Sequence, residues 1–231
     1  MKKIFIITCI VFLFSATSVF AQYAYFGLKG GINLASFNGS ESDAADWGSS
    51  TKGSRFGFTV GAYSTIVLAK VFAIQPEALF TMNGAKYEDK GLTTAGSAYT
   101  DTMNINLNYI QIPVLLKFYV PVPGMVKPNV FAGGYLGINI SHKYKYEYEV
   151  AGTVVFEEEG DIDDYFLGLA EITTLDYGPV FGGGIDFIVA GMQMSVDARY
   201  SLGLADLLEV ATGTEFSIKN GAFSIMYGIG F

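Results

Sequence analysis

Eight stretches of this chain alternate apolar with polar or small side chains at a period of two, and the segments joining them are short and long in turn. Such a period puts each class of side chain on its own face of a β-strand. Met192 to Leu202 shows it most cleanly, with Gln193, Ser195, Asp197, Arg199 and Ser201 between Met194, Val196, Ala198, Tyr200 and Leu202. The C-terminal stretch sets Phe223, Ile225, Tyr227, Ile229 and Phe231 against Ser224, Met226, Gly228 and Gly230. The other six run over Tyr25–Ser36, Arg55–Leu68, Val71–Asn83, Met103–Val120, Asn129–Ser141 and Leu175–Ile188. In the fifth of the eight, Leu136, Ile138 and Ile140 oppose Tyr135, Asn139 and Ser141.

Strands two and three, four and five, and six and seven are joined by a few residues each, among them Pro121-Val122-Pro123-Gly124 and Val189-Ala190-Gly191. Polar segments over roughly 37–54, 84–102, 142–174 and 203–220 make the other joins. Short turns at one end and long loops at the other is the layout of an outer-membrane barrel, with the periplasm on the short side. Tyr144, Tyr146 and Tyr148 alternate with charges and read as an extension of strand five into a hairpin arm beyond the membrane.

The N-terminal end agrees with export. Lys2 and Lys3, the apolar run Ile4 to Phe14 and the small-residue site Val19-Phe20-Ala21 read as a secretory signal over 1–21. The apolar run is too short to span a bilayer core of about 30 Å. The remainder, 22–231, reads as one barrel domain. The single cysteine, Cys9, falls inside the signal, so the mature chain is expected to carry no disulfide and no cysteine-based metal site. The chain is 51% hydrophobic with a mean hydropathy of +0.36, yet its greasiest later segments are broken by residues such as Lys70, Glu77, Gln111 and Lys117. Only helices and closed barrels satisfy their backbone in lipid. With no candidate helix, the apolar surface belongs on a barrel wall, and 28 glycines and 15 tyrosines suit one.

Loss of the signal leaves 12 of the 14 basic residues against 22 acidic ones, a formal net charge of −10. That argues against nucleic acid or anionic lipid as a partner.

The blocks Phe26–Leu34 (F-G-L-K-G-G-I-N-L), Gln75–Phe80, Asn108–Lys117 (N-Y-I-Q-I-P-V-L-L-K), Phe131–Gly137, Phe181–Phe187 (F-G-G-G-I-D-F) and Ala198–Asp206 recur in this order in one family. The chain resembles the PorT-like outer-membrane β-barrel family of Bacteroidetes over nearly its whole mature length. The resemblance implies an eight-stranded barrel of the small outer-membrane type. It also implies that an aromatic C terminus, here Phe231 with Ile229 and Tyr227, marks the chain for the outer-membrane assembly machinery.

Sorted by parity, Lys29, Arg55, Lys117 and Arg199 share the inward face with Glu77, Asp176, Asp186 and Asp197, four charges of each sign. An eight-stranded barrel is just wide enough for side chains to fill. Charges inside it must pair, as a packed polar plug or as the lining of a narrow pore. Glu157, Glu158, Glu159, Asp161, Asp163 and Asp164 put six carboxylates into eight residues. Hard oxygen ligands of this kind suit a divalent cation. The run lacks the glycine and ligand spacing of an EF-hand, so a solvated acidic loop is the alternative. No recognisable nucleophile accompanies the one histidine, His142, and Gly182-Gly183-Gly184 sits mid-strand where a phosphate loop would open a helix.

The expectation is therefore an all-β, eight-stranded antiparallel up-and-down barrel in the outer membrane. It is expected to be non-catalytic, free of cofactors and monomeric, presenting loops for envelope structure or for contact with an unidentified extracellular partner. The alternatives are a narrow channel, a secretion-accessory component, and a soluble exported barrel of lipocalin type. In the last case Lys29, Asp197 and Arg199 would point outward to water.

Overall fold

A computed structural model describes residues 23–39, 51–165, 170–210 and 217–231. The expected signal over 1–21 lies outside them. In chain order the elements are β1 (Tyr23–Gly39), β2 (Thr51–Ala69), β3 (Phe72–Leu92), β4 (Ala98–Tyr119), β5 (Val126–Val150), β6 (Thr153–Asp161), α1 (Ile162–Tyr165), β7 (Ala170–Ile172), β8 (Leu175–Val189), β9 (Met192–Leu202), β10 (Leu208–Val210) and β11 (Ile218–Gly230).

Eight of these strands close a ring in the order β1-β2-β3-β4-β5-β8-β9-β11, every neighbour antiparallel. An open edge in lipid would leave a row of unpaired backbone groups, so closure is obligatory. It is made between β1 and β11, in register from Gly27↔Gly230 to Ala35↔Ala222. Phe26 and Phe231 add two reciprocal backbone hydrogen bonds of 3.1 and 2.8 Å.

Outside the ring, the wall is apolar: Leu28, Phe56, Phe72, Leu116, Phe181, Ile225 and Tyr227 all stand exposed. Inside, Lys29, Asp197 and Arg199 are buried, which excludes the soluble barrel with its faces reversed. No helix among the described residues is long and apolar enough to cross a membrane; the chain crosses with strands.

Two of the expected long loops are strand. The segment 84–102 continues β3 to Leu92 and returns in β4 from Ala98. The segment 142–174 opens by carrying β5 to Val150, and β6 pairs back along it. A membrane crossing needs about 10 residues, whereas β3, β4 and β5 have 21, 22 and 25. Their surplus forms hairpin arms beyond the apolar wall, as the alternation of Tyr144, Tyr146 and Tyr148 anticipates. The β5–β6 turn uses Ala151 and Gly152, both at positive φ, which matches the right-handed strand twist.

A bulge corrects one facing assignment. On β5, Ser141 pairs with Asn108 while Asn139 pairs with Tyr109, so Ile140 is an extra residue. The parity of β5 flips there. Ser141, expected inward with Tyr135 and Asn139, joins Asn108 on the outer face, and Tyr144 turns inward. Its ring packs with Phe37, Ala85, Ile105, Leu107, Tyr109, Ile162 and Leu207 in an apolar cluster at the arm end of the barrel.

Candidate functional site: the charged interior

Odd-numbered residues of β1, β3, β4 and β9 face inward, and with Asp186 of β8 they bring three cations and three carboxylates together. Lys29 donates to Glu77 at 3.0 Å and to Asp197 at 2.6 Å. Arg199 donates to Glu77 through both terminal nitrogens, at 2.6 and 3.0 Å, and to Asp197 at 3.2 Å. Lys117 donates to Asp186 at 3.1 Å and lies 3.9 Å from Asp197, joining the two halves of the network. None of the six is more than 3% exposed. Coulomb attraction is strong in such a place, but so is the cost of removing each ion from water, and only full pairing brings the two near balance.

Neutral groups extend that pairing, while Asp197 Oδ1 and Arg199 Nε have no hydrogen-bond partner among the described residues. Gln75 donates to Glu77 at 2.6 Å while accepting from Thr65 at 3.0 Å. Asp186 also accepts from Tyr119 at 2.7 Å, Gln193 at 2.6 Å and Asn129 at 3.2 Å. Aromatic faces take the cations: Lys29 Nζ lies 4.8 Å from the centre of the Tyr63 ring, and the Arg199 guanidinium 5.4 Å from that of Phe131. Room for these groups comes from inward glycines. A Cβ on Gly228 would sit 2.6 Å from Ser195 Oγ and 3.1 Å from the Tyr63 ring. The mid-strand Gly182 and Gly184 lie likewise against Phe131 and Asp197, so that run serves packing.

Two of the eight expected network charges stand apart. Arg55 is half-buried and donates to the Asn83 carbonyl at 2.9 Å, one level nearer the arms. Asp176 is buried without a cation beside it among the described residues; it accepts from Tyr135 and Asn220, each at 2.9 Å. Gln75, Tyr119, Asn129 and Gln193 were missed in the sequence because only charges were sorted. Their inward parity was the available signal.

The two ends of this network differ, one bordering a cavity and the other apolar clusters. Towards the short turns, a cavity of about 70 Å³, lined by Tyr25, Lys70, Tyr119, Lys127, Asp186 and Gln193, borders Asp186 of the network. Towards the arms, Leu115, Phe131, Tyr135 and Val180 form one apolar layer and the cluster around Leu107 a second.

The acidic run on β6 is divided by strand alternation. Glu157, Glu159 and Asp161 lie on one face, opposite Glu147, Lys145 and Lys143, while Glu158 lies on the other and accepts from Tyr144 at 3.0 Å. Glu157 pairs with Lys145 at 3.0 Å. Asp163, in α1, pairs with His142 at 2.9 Å, and Asp164 occupies the next position of that turn. Among the described residues, no three side chains of metal-ligating type converge. At the terminus, Phe231 and Tyr227 stand exposed on the outer wall, with Ile229 between them partly so.

A family model described as outer membrane protein beta-barrel domain matches residues 20–209. No curated protein matches the chain. Among solved structures, the chain is similar to Neisserial surface protein A at 12% identity, covering 91% of this chain and 100% of that one with a TM-score of 0.43. OprG from Pseudomonas aeruginosa is similar at 12% identity, with 91% and 97% covered and a TM-score of 0.43. Ail, the attachment invasion locus protein of Yersinia pestis, is similar at 11% identity, with 91% and 100% covered and a TM-score of 0.41. With four-fifths of its length in that one model and an apolar outer wall around a charged interior, the chain belongs to the outer membrane protein β-barrel domain family and resides in the outer membrane.

Proposed function

We propose that this is a non-catalytic surface protein, a filled barrel of 22–231 released from a 1–21 signal, holding strand arms outside the cell for envelope structure or contact with another molecule. The observation that carries the reading is the interior. Its six central charges are mutually paired and buried, with apolar layers above them, so the barrel serves as a stem and its arms carry the contacts. The protein stands as a monomer in this reading, held by lipid and delivered by the assembly machinery that reads Tyr227, Ile229 and Phe231. Reconstitution in planar bilayers tests it. A silent bilayer is expected; stable unitary conductance would replace the stem with a narrow channel.

The ordered sequence blocks from Phe26–Leu34 to Ala198–Asp206 support a finer placement within the PorT-like group of Bacteroidetes, whose founding member is tied to protein secretion. A secretion-accessory role predicts that deleting the gene mislocalises exported proteins. Normal export in the deletion strain would remove that role and leave the surface reading intact.

A further inference from the structure

Beyond the apolar wall, β3, β4, β5 and β6 form a sheet that is acidic on both faces but carries its lysines on one face only. Register puts Lys86, Lys90, Lys143 and Lys145 on one face, together with Glu88, Glu147, Glu149, Glu157, Glu159 and Asp161. Ion pairs join them there: Lys86–Glu88 at 2.7 Å, Lys145–Glu147 at 2.7 Å and Lys145–Glu157 at 3.0 Å. The other face carries Tyr99, Tyr146, Tyr148 and Phe156 with Asp89, Asp101 and Glu158. No lysine or arginine of the four arm strands shares it; Lys52 of β2 holds a register position at its margin, beside Tyr87.

Three features of this second face point to a cation. Asp89 and Asp101 are direct cross-strand partners, and like charges so placed destabilise a sheet. Each already accepts from a tyrosine hydroxyl, Tyr99 to Asp89 at 3.1 Å and Tyr146 to Asp101 at 2.9 Å, and a carboxylate has further acceptor capacity. The rings pack in pairs, Tyr99 with Tyr148 at 5.8 Å and Tyr146 with Phe156 at 6.0 Å, and remain partly exposed, Phe156 at 50%. An aromatic face attracts a cation through its quadrupole. A neutral sugar would stack on the same rings but leave the Asp89–Asp101 repulsion in place.

We propose that this face is a docking surface for an extended, cationic segment of a partner protein. One arginine or lysine of the segment enters between Asp89 and Asp101 and lies against Tyr148. The proposal rests on the surface-protein reading and names the partner chemistry of its arms.

The test uses the full mature chain in nanodiscs of phosphatidylcholine, a neutral lipid that does not itself hold a basic peptide by charge. The probes are a synthetic peptide alternating arginine with serine, the same peptide with glutamate for arginine, and a neutral glucose oligosaccharide, all at physiological salt. Saturable binding of the arginine peptide alone is expected. Asp89→Asn with Asp101→Asn, or Tyr148→Ser, should each weaken it about tenfold or more. Glu147→Gln with Glu157→Gln, on the opposite face, should leave it unchanged. Heat-modifiable gel mobility confirms that each variant is folded. Equal loss with both acidic pairs would mean diffuse charge attraction and overturn the proposal, as would no binding by the parent protein. Oligosaccharide binding that is lost in the Tyr148 variant would overturn it in favour of a carbohydrate. A silent bilayer with no peptide binding sinks this inference alone, whereas unitary conductance sinks the surface reading beneath it.

Discussion

Arg199 holds Glu77 across the lumen by two hydrogen bonds, 2.6 Å from Nη1 and 3.0 Å from Nη2, linking β9 to β3 over 122 residues of sequence. The contact is bidentate and charge-assisted, the strongest type of side-chain hydrogen bond. Glu77 is also the acceptor that Lys29 and Gln75 share, so removing its charge leaves two cations to divide Asp197.

Glu77→Gln should therefore destabilise the barrel by about 3–5 kcal/mol, the usual cost of breaking one side of a buried pair. Pairing it with Arg199→Met should cost less than the sum of the two single changes, because the second removes the charge the first strands. Urea unfolding in lipid vesicles measures all three. Additive effects would show that the two side chains do not act on each other.

Ile225 and Met226 are neighbours on β11, yet Ile225 is 46% exposed on the outer wall and Met226 1% exposed inside. Ile225→Arg puts a charge into lipid, at a cost of about 2–4 kcal/mol near the midplane. Met226→Gln meets a polar interior and should be far milder. Membrane yield and heat-modifiable mobility of the two variants separate the faces; equal behaviour would contradict the assignment of inside and outside.

Deleting Phe231 removes both of its backbone bonds to Phe26 as well as the terminal aromatic ring. Outer-membrane yield should fall while export to the periplasm continues. A Phe231→Ala variant keeps the backbone bonds and loses the ring. If it is inserted as well as the parent, insertion does not depend on the ring.

On the exposed arm, hydrogen bonds from Lys86 and then Lys90 hold the Glu88 carboxyl at about 2, below its ordinary 4.5. A carboxylate whose folded value is depressed stabilises the fold above its unfolded value and loses that contribution as pH falls through the folded one. The local support from Glu88 should be complete above about 4.5 and fade towards about 2. An NMR titration of the Glu88 carboxyl carbon checks this. A midpoint at or above 4.5 would mean that the lysines do not hold it in solution.

Parity made the barrel legible. The period of two separated Lys29, Glu77, Lys117, Asp186, Asp197 and Arg199 from the lipid-facing residues, because lipid enforces a sharp contrast between the faces of a strand. The arm of β5 is marked by the alternation of Tyr144, Tyr146 and Tyr148, but those of β3 and β4 escape the same reading for the same reason. Beyond the membrane both faces of β3 and β4 meet water or other protein, so Lys86, Tyr87, Glu88 and Asp89 follow one another with no hydrophobic alternation to read. Ser141 was misplaced because nothing in the residues around Ile140 announces a bulge; it follows from how β4 and β5 match register. Asp176 and Arg55 share the correct parity but sit at other heights along the barrel, and height depends on strand stagger, which a pattern along one strand does not contain.

The lumen network also bears on how such a barrel comes into being. Lys29 belongs to the first strand, but its partners Glu77 and Asp197 lie 48 and 168 residues further on. A sheet that has entered the bilayer without β9 would offer Lys29 half its partners and Arg199's share of Glu77 none. Such a half-built intermediate carries unmatched charge in a low-dielectric medium and is driven back or forward, not populated. Ion pairs that add little to the net stability of the finished barrel thereby make its completion cooperative, and tie the moment of ring closure to the arrival of β9 and β11.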